Sequence, residues 1–167
     1  MNGWLLATLL TGVAVIVVIK RLRGEPVNAR DLFAPPVILT ALGLTSLAKT
    51  DHLTGPDLAW AGTGAALGCA LGVLRGATIQ LSERGGALWQ RYTGRTFVIA
   101  AASLLIMAAF GLLAEKMGTH AHARPLQLSI GISFLGEALA VGRRGMATGI
   151  PFAPERSRPW QRQGRMG

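Results

Sequence analysis

One ionisable residue lies inside an apolar stretch of this sequence and is the first candidate for chemistry. Glu137 falls within "LQLSIGISFLGEALAV", whose other residues suit a lipid environment. A charged side chain in such a stretch is costly, and it usually faces the interior of a helix bundle or a water-filled path. The sequence therefore leaves two alternatives. One is a structural ion pair between Glu137 and an arginine such as Arg75 or Arg143. The other is a carboxyl group that handles protons or ions.

Two histidines form a second group whose side chains could bind a metal ion. His120 and His122 are two residues apart in a connecting segment, with Glu115 nearby and Asp51 and His52 in another connection. Imidazole and carboxylate groups are ligands that zinc and copper accept. They do not make up a complete ligand set, and exposed histidines in loops are common. We therefore predict no metal site, with His120 and His122 as the only candidates.

The sequence contains no pattern typical of an enzyme. A nucleophile paired with a base, a phosphate-binding loop and a dinucleotide-binding fingerprint do not occur in it. An intramembrane enzyme would need a polar cluster that the apolar blocks do not provide. We predict a protein that is not an enzyme and that has no cofactor.

The composition is that of a membrane protein. Half of the 167 residues are apolar and 15% are charged, whereas soluble domains carry about 25% charged residues. Mean hydropathy is +0.41, and the apolar residues form blocks, as expected for segments that cross a bilayer. The net charge is +9, but the arginines are divided among the connections instead of forming a stripe with stacking aromatics, so a nucleic-acid partner is not predicted.

Five apolar blocks predict an all-α membrane protein with five transmembrane helices. The spans cover about 4–19, 34–48, 58–74, 96–114 and 126–141, and Pro35 and Pro36 suit the start of the second. The second and fifth blocks are short for a span of roughly 20 residues, so four spans with one re-entrant block is an alternative. The bundle is predicted to occupy residues 1–145, and residues 146–167 to form a disordered basic cytoplasmic tail that is solvated or rests on anionic lipid.

The positive charges predict an orientation. One side of the membrane would receive the Lys and Arg residues of the first and third connections and of the tail, and the other side would receive only Lys49, Lys116 and Arg124. Cytoplasmic loops of membrane proteins are enriched in Lys and Arg. We predict a multi-pass protein of the bacterial cytoplasmic membrane with its amino terminus outside and its carboxyl terminus in the cytoplasm.

The third predicted span carries four glycines in register. Gly64, Gly68, Gly72 and Gly76 are four residues apart and share one helix face. Small residues let helices approach closely in lipid, where no hydrophobic drive brings them together. We therefore expect the third span to be the central packing helix. Its partner is either another helix of this chain or a second copy, so a homo-oligomer or a complex with another membrane protein could form through this span.

A short cytoplasmic β-hairpin is predicted between the third and fourth spans. Residues 78–81 and 88–91 alternate roughly between polar and apolar, and "ERGG" between them supplies turn residues. Trp89 and Tyr92 are expected at the level of the lipid headgroups. Because an isolated hairpin is marginally stable, it should lie on the membrane or against "GEPVNARDLF". The residues that define the hairpin and its helix junction are Thr78, Arg84, Gly85, Gly86 and Trp89.

Three segments together resemble a known family. "RLRGEPVNARDLFAPPVILTALGL", "GVLRGATIQL" and "GALWQRY" are similar to the bacterial membrane proteins grouped with CcdC, named for cytochrome c biogenesis. The resemblance covers about residues 15 to 145. It implies a multi-pass membrane protein connected with cytochrome or redox-protein maturation. The sequence itself holds one cysteine, and therefore no C-x-x-C motif.

Together these features predict a non-enzymatic accessory or assembly protein embedded in the lipid bilayer. The alternative is a small transporter or channel whose path is lined by Glu137.

Overall fold

The computed structural model describes Ile19 and residues 22–49, 54–118 and 126–154. Within these ranges the protein is mostly helical, with four helices and one small sheet. The helices are α1 (Ala29–Ala48), α2 (Gly55–Thr78), α3 (Gly94–Lys116) and α4 (Leu126–Ala147). The strands are β1 (Glu25–Pro26), β2 (Gln80–Arg84) and β3 (Ala87–Arg91).

Polar side chains fix where three of the helices begin. The Asn28 side chain accepts a hydrogen bond from the backbone N–H of Arg30 and starts α1. Thr54 with Asp57, and Thr93 with Thr96, form capping boxes at the starts of α2 and α3. Each cap satisfies backbone N–H groups that have no partner within the first helical turn.

The cap at Asn28 corrects the predicted start of the second span. The helix begins at Ala29 instead of residue 34, so Pro35 and Pro36 lie inside it. Proline removes a backbone donor within a helix. The predicted start at the prolines is therefore wrong, because the capping residue Asn28, six residues upstream of residue 34, sets the first turn.

Helix α4 lies between two other described helices. It packs along α2 on one side and α1 on the other, while α3 packs against α2. Glycines make these contacts close: a Cβ at Gly43 of α1 would meet the backbone of Leu128, and one at Gly136 of α4 would meet the carbonyl of Cys69. Helix α2, the third predicted span, likewise packs against two described helices, α4 and α3, so the expectation that it is the central packing helix stays a prediction.

The four aligned glycines of α2 do face other helices of the same chain. Gly72 lies against the Ser133 carbonyl and Gly76 against Glu137 and Ala140, all in α4. Gly68 lies 3.6 Å, measured from an ideal Cβ, from the Ser129 carbonyl. Gly64 instead faces the ring of Phe110 in α3. The glycine face is thus filled within the chain along most of its length.

The structure confirms the predicted hairpin and extends it. Strand β2 pairs antiparallel with β3 from Gln80–Arg91 to Arg84–Ala87. Gly85 and Gly86 form the turn with φ of +60° and +74°, as a type I′ turn requires. Thr78 ends α2 instead of starting the strand, because its hydroxyl donates to the Arg75 carbonyl in the last helical turn.

A third strand supports the hairpin. Glu25 and Pro26 pair with Gln90 and Trp89, so β3 is the middle strand. The hairpin therefore lies against "GEPVNARDLF", one of the two supports considered from the sequence.

Residues after α4 return to this sheet. The Leu88 N–H donates to the Pro151 carbonyl, and the Ala153 N–H donates to the Val27 carbonyl. Ile150 and Phe152 pack on an apolar cluster of Val27, Ile79, Leu88, Tyr92 and Val141. The described part of the predicted tail, 146–154, thus belongs to the packed structure, and residues 155–167 lie outside the described residues.

Large apolar side chains lie mainly on the outside of the bundle. Val98, Leu104 and Leu105 of α3 are 69%, 71% and 73% exposed. Of the described helices, α1, α2 and α3 are long and apolar enough to cross a membrane. Five spans are not supported: the block 4–19 lies almost wholly outside the described residues, and α4 is not among the three. An apolar surface around a small and polar interior is typical of helices in lipid.

Replacing Gly72 with alanine tests the close packing of α2 on α4. The new methyl group would overlap the Ser133 carbonyl, a backbone atom that cannot rotate away. We expect Gly72→Ala to lower the free energy of unfolding by about 1–3 kcal/mol. Gly62→Ala on the same helix is the matched control, because nothing lies within 4 Å of that position. Unfolding by SDS titration in mild detergent measures both, and equal stability of the two variants would contradict this packing.

Candidate functional site

Glu137 is buried where helix α4 passes the end of α2 and the start of the sheet. Its side chain is in contact with two others: the Nε of Arg75 donates to Oε2, and the hydroxyl of Tyr92 donates to Oε1. Glu137 is 4% exposed and Arg75 8% exposed. A buried carboxylate is tolerable when a cation and hydrogen-bond donors compensate for lost water. We call Arg75, Tyr92 and Glu137 the buried triad.

The local sequence explains how the triad forms. Gly72 and Gly76 bracket Arg75 on α2 and bring the backbone of α4 close, so that Arg75 reaches Glu137 without crossing a gap. Tyr92 follows β3 immediately and precedes the Thr93 cap of α3. The triad therefore joins two helices and the hairpin at one point.

Arg75 has further contacts. Its guanidinium lies over the ring of Phe134 in α4, with 5.1 Å between Cζ and the ring centroid. Its Nη2 atom is buried and has no hydrogen-bond partner among the described residues. A cation over an aromatic face gains electrostatic attraction, which adds to the ion pair with Glu137.

The two neighbouring arginines of α4 have different surroundings. Arg143 is exposed, and the ion pair with Glu137 is made by Arg75. Arg144 instead turns inward, and its Nη1 donates to the carbonyls of Gly76 and Ile79 at 2.9 and 2.8 Å. These carbonyls lie at the end of α2, where acceptors lack helical partners and a positive charge is favourable.

Two of the predicted hairpin residues form a cation–π contact outside the triad. Arg84 lies over the ring of Trp89 at 5.5 Å, and Trp89 is half-buried in the middle strand. Tyr92 was expected at the headgroup level beside Trp89. The structure corrects this, because the Tyr92 ring is 7% exposed and joins the apolar cluster.

A cavity of about 410 Å³ lies beside the triad. It is bounded by the segment from Glu25 to Leu39, by Gln90 of β3, and by Phe134, Glu137 and Ala138 of α4. Gln90 is 9% exposed, and its Oε1 atom has no hydrogen-bond partner among the described residues. The cavity thus brings together a buried carboxylate and an unsatisfied amide oxygen.

The histidine candidates cannot be placed. His120 and His122 lie outside the described residues, as do Asp51 and His52. Across 22–49, 54–118 and 126–154, no group of three or more His, Cys, Asp or Glu residues is arranged to hold a metal ion.

Comparisons of the chain with protein-family models, with curated proteins and with solved structures find no match.

Sequence reasoning missed the roles of Tyr92, Arg144 and Gln90. The pair Arg143–Arg144 carried a signal, since only one of two adjacent residues can lie on the helix face that already holds Glu137 and Ala140. Gln90 gave no signal, because a glutamine in a short strand is ordinarily solvated.

Arg144 and Arg143 allow a matched test of the capping contact. We expect Arg144→Gln to lower the free energy of unfolding by about 1–2 kcal/mol, because two carbonyls at the end of α2 lose a charged donor. Arg143→Gln removes the same charge from an exposed position and should change stability by no more than about 0.5 kcal/mol. SDS titration measures both variants. Equal losses would show that net charge, and not this contact, governs stability.

Proposed function

We propose that the protein is a non-enzymatic integral membrane protein that serves as an accessory or assembly subunit in the bacterial cytoplasmic membrane. One observation carries this proposal: both carboxylate oxygens of Glu137 are held by side chains from other elements. A group fixed in this way stabilises a scaffold. The resemblance to CcdC-like proteins extends the proposal to cytochrome or redox-protein maturation, and that extension rests on the resemblance alone.

The charge distribution supports an orientation with the sheet in the cytoplasm. Among the described residues, eight of ten Lys and Arg side chains lie at the sheet end of the helices, and only Lys49 and Lys116 lie at the opposite end. This asymmetry follows the positive-inside pattern. The described end of the chain at residue 154 then lies in the cytoplasm. The amino terminus lies outside if residues 4–19 cross the membrane, as their sequence predicts.

The outer surface of α3 suits lipid or another membrane protein. Helix α3 packs against α2, and its remaining large residues, such as Leu105 and Leu112, are exposed. Because α4 already fills most of the glycine face of α2, a partner or second copy would meet the apolar outer faces instead.

A second candidate function is a small transporter that uses Glu137. The cavity beside the triad favours it, since Glu137 contributes to the cavity lining and intramembrane carboxylates often mark substrate paths.

Purification from the native membrane separates the two functions. The tagged protein is extracted in mild detergent and its companions are identified by mass spectrometry. An equal amount of isotope-labelled membrane from untagged cells is added before extraction, so that companions acquired after lysis are recognised. The accessory role predicts a protein companion that is present in stoichiometric amount. This companion should carry no isotope label, because it joined the tagged protein before the cells were lysed. A chain that purifies alone would contradict that role and favour transport.

Single-cysteine labelling tests the orientation. In a Cys69→Ala background, Lys49→Cys and Glu83→Cys place exposed thiols at opposite ends of the helices. A membrane-impermeant maleimide added to intact spheroplasts should label Lys49→Cys alone, and both variants after permeabilisation. Labelling of Glu83→Cys in intact spheroplasts would reverse the proposed orientation.

A further inference from the structure

The cavity beside the buried triad has the size of a small-molecule site. Its volume of about 410 Å³ falls within the range of ligand pockets, roughly 300–1,000 Å³. It lies between the start of α1, the middle strand of the sheet and helix α4. Asp31 and Pro35 on its rim are exposed, so a ligand can enter at the first turns of α1.

The lining is acidic. Glu25, Asp31 and Glu137 contribute carboxylates, and the described lining contains no Lys or Arg. The charge of Glu137 is offset by its ion pair with Arg75, so the exposed Asp31 carries the negative charge that a ligand can reach. The chain as a whole has a net charge of +9, so this lining runs against the overall charge. A local concentration of one sign of charge attracts ligands of the opposite sign.

Gln90 supplies an independent indication of a ligand. Its side chain lines the cavity and is 9% exposed, yet its Oε1 atom accepts no hydrogen bond from the described residues. A buried acceptor without a donor is costly. A ligand with N–H groups would satisfy it.

The shape of the lining excludes a single metal ion as the best occupant. Across the described residues, the carboxylates do not gather in a group that could hold a metal. Apolar side chains also line the cavity, including Pro36, Leu39 and Phe134. Separated acceptors joined by apolar walls fit a molecule whose positive groups are separated by methylene chains.

We propose that this cavity binds a linear aliphatic polyamine with two or three amino groups. One ammonium group meets the carboxylate of Asp31 and another donates to Oε1 of Gln90, and the methylene groups pack on the proline, leucine and phenylalanine side chains. The site does not depend on whether the protein is an accessory subunit or a transporter.

Calorimetry on the full chain in phosphatidylcholine nanodiscs tests this site. Spermidine and putrescine are the probes, and 1,4-butanediol is the neutral counterpart of putrescine. We expect saturable binding of the amines and none of the diol. Absence of amine binding, or equal binding of the diol, would overturn the proposal.

Three variants locate the binding. Gln90→Leu removes the buried acceptor, and Asp31→Asn removes an exposed carboxylate at the rim. Each should weaken spermidine binding about tenfold, the equivalent of one lost hydrogen bond to a charged group. Glu83→Gln removes an exposed carboxylate outside the cavity and should leave binding unchanged.

The melting temperature of each variant serves as the folding control. If Gln90→Leu does not purify, Asp31→Asn alone tests whether spermidine binds in the cavity. Equal affinity of wild type and Asp31→Asn would show that Asp31 takes no part in binding and would overturn the site. Equal weakening by Asp31→Asn and Glu83→Gln would show attraction to surface charge in general and would overturn it as well.

Discussion

The structure depends on one buried ion pair placed where three elements meet. Arg75 comes from α2, Glu137 from α4, and Tyr92 from the residue between β3 and α3. None of these side chains is suited to an apolar interior alone, because each carries a charge or a polar group that would lose its water. Together they satisfy both oxygens of the carboxylate. The helices and the sheet must therefore keep their relative positions for the burial to be tolerated.

Small residues allow the helices to approach closely enough for this ion pair to form. Because glycine has no side chain, the backbones of α2 and α4 contact each other directly at these positions. The two helices therefore lie close enough for Arg75 to reach Glu137. The larger apolar residues are displaced to the outside, where Leu104 and Leu105 are more than two-thirds exposed. In water such a surface would drive aggregation, whereas in a bilayer it is solvated by lipid. The same distribution leaves room beside the triad for a polar-lined cavity.

Local signals in the sequence predicted local structure well. "ERGG" predicted a turn because its glycines tolerate positive φ, and the hairpin followed from it. The glycine spacing predicted a contact face on α2, and the isolated Glu137 predicted a polar contact in the bundle. These inferences need only the period of a helix and the geometry of a turn.

Contacts between elements that are distant in the chain could not be predicted from the sequence. Helical periodicity sets Arg143 on a different face of α4 from Glu137, but nothing in the order of residues placed Arg75 of another helix opposite Glu137. The close packing of α4 against both α1 and α2 was not predicted, because its polar residues make it the least apolar of the described helices, although those residues are what its neighbours enclose. The cavity was missed because its lining comes from α1, β1, β3 and α4, which are far apart in the chain.

A double-mutant cycle on Arg75 and Glu137 tests the central claim most directly. The free energy of unfolding would be measured by SDS titration for Arg75→Met, Glu137→Met and the double variant. A buried charge left alone is costly, so each single change should lose about 3–5 kcal/mol, while the double variant should lose much less than their sum. Losses that add would contradict the account, because they would show that the two side chains do not stabilise each other.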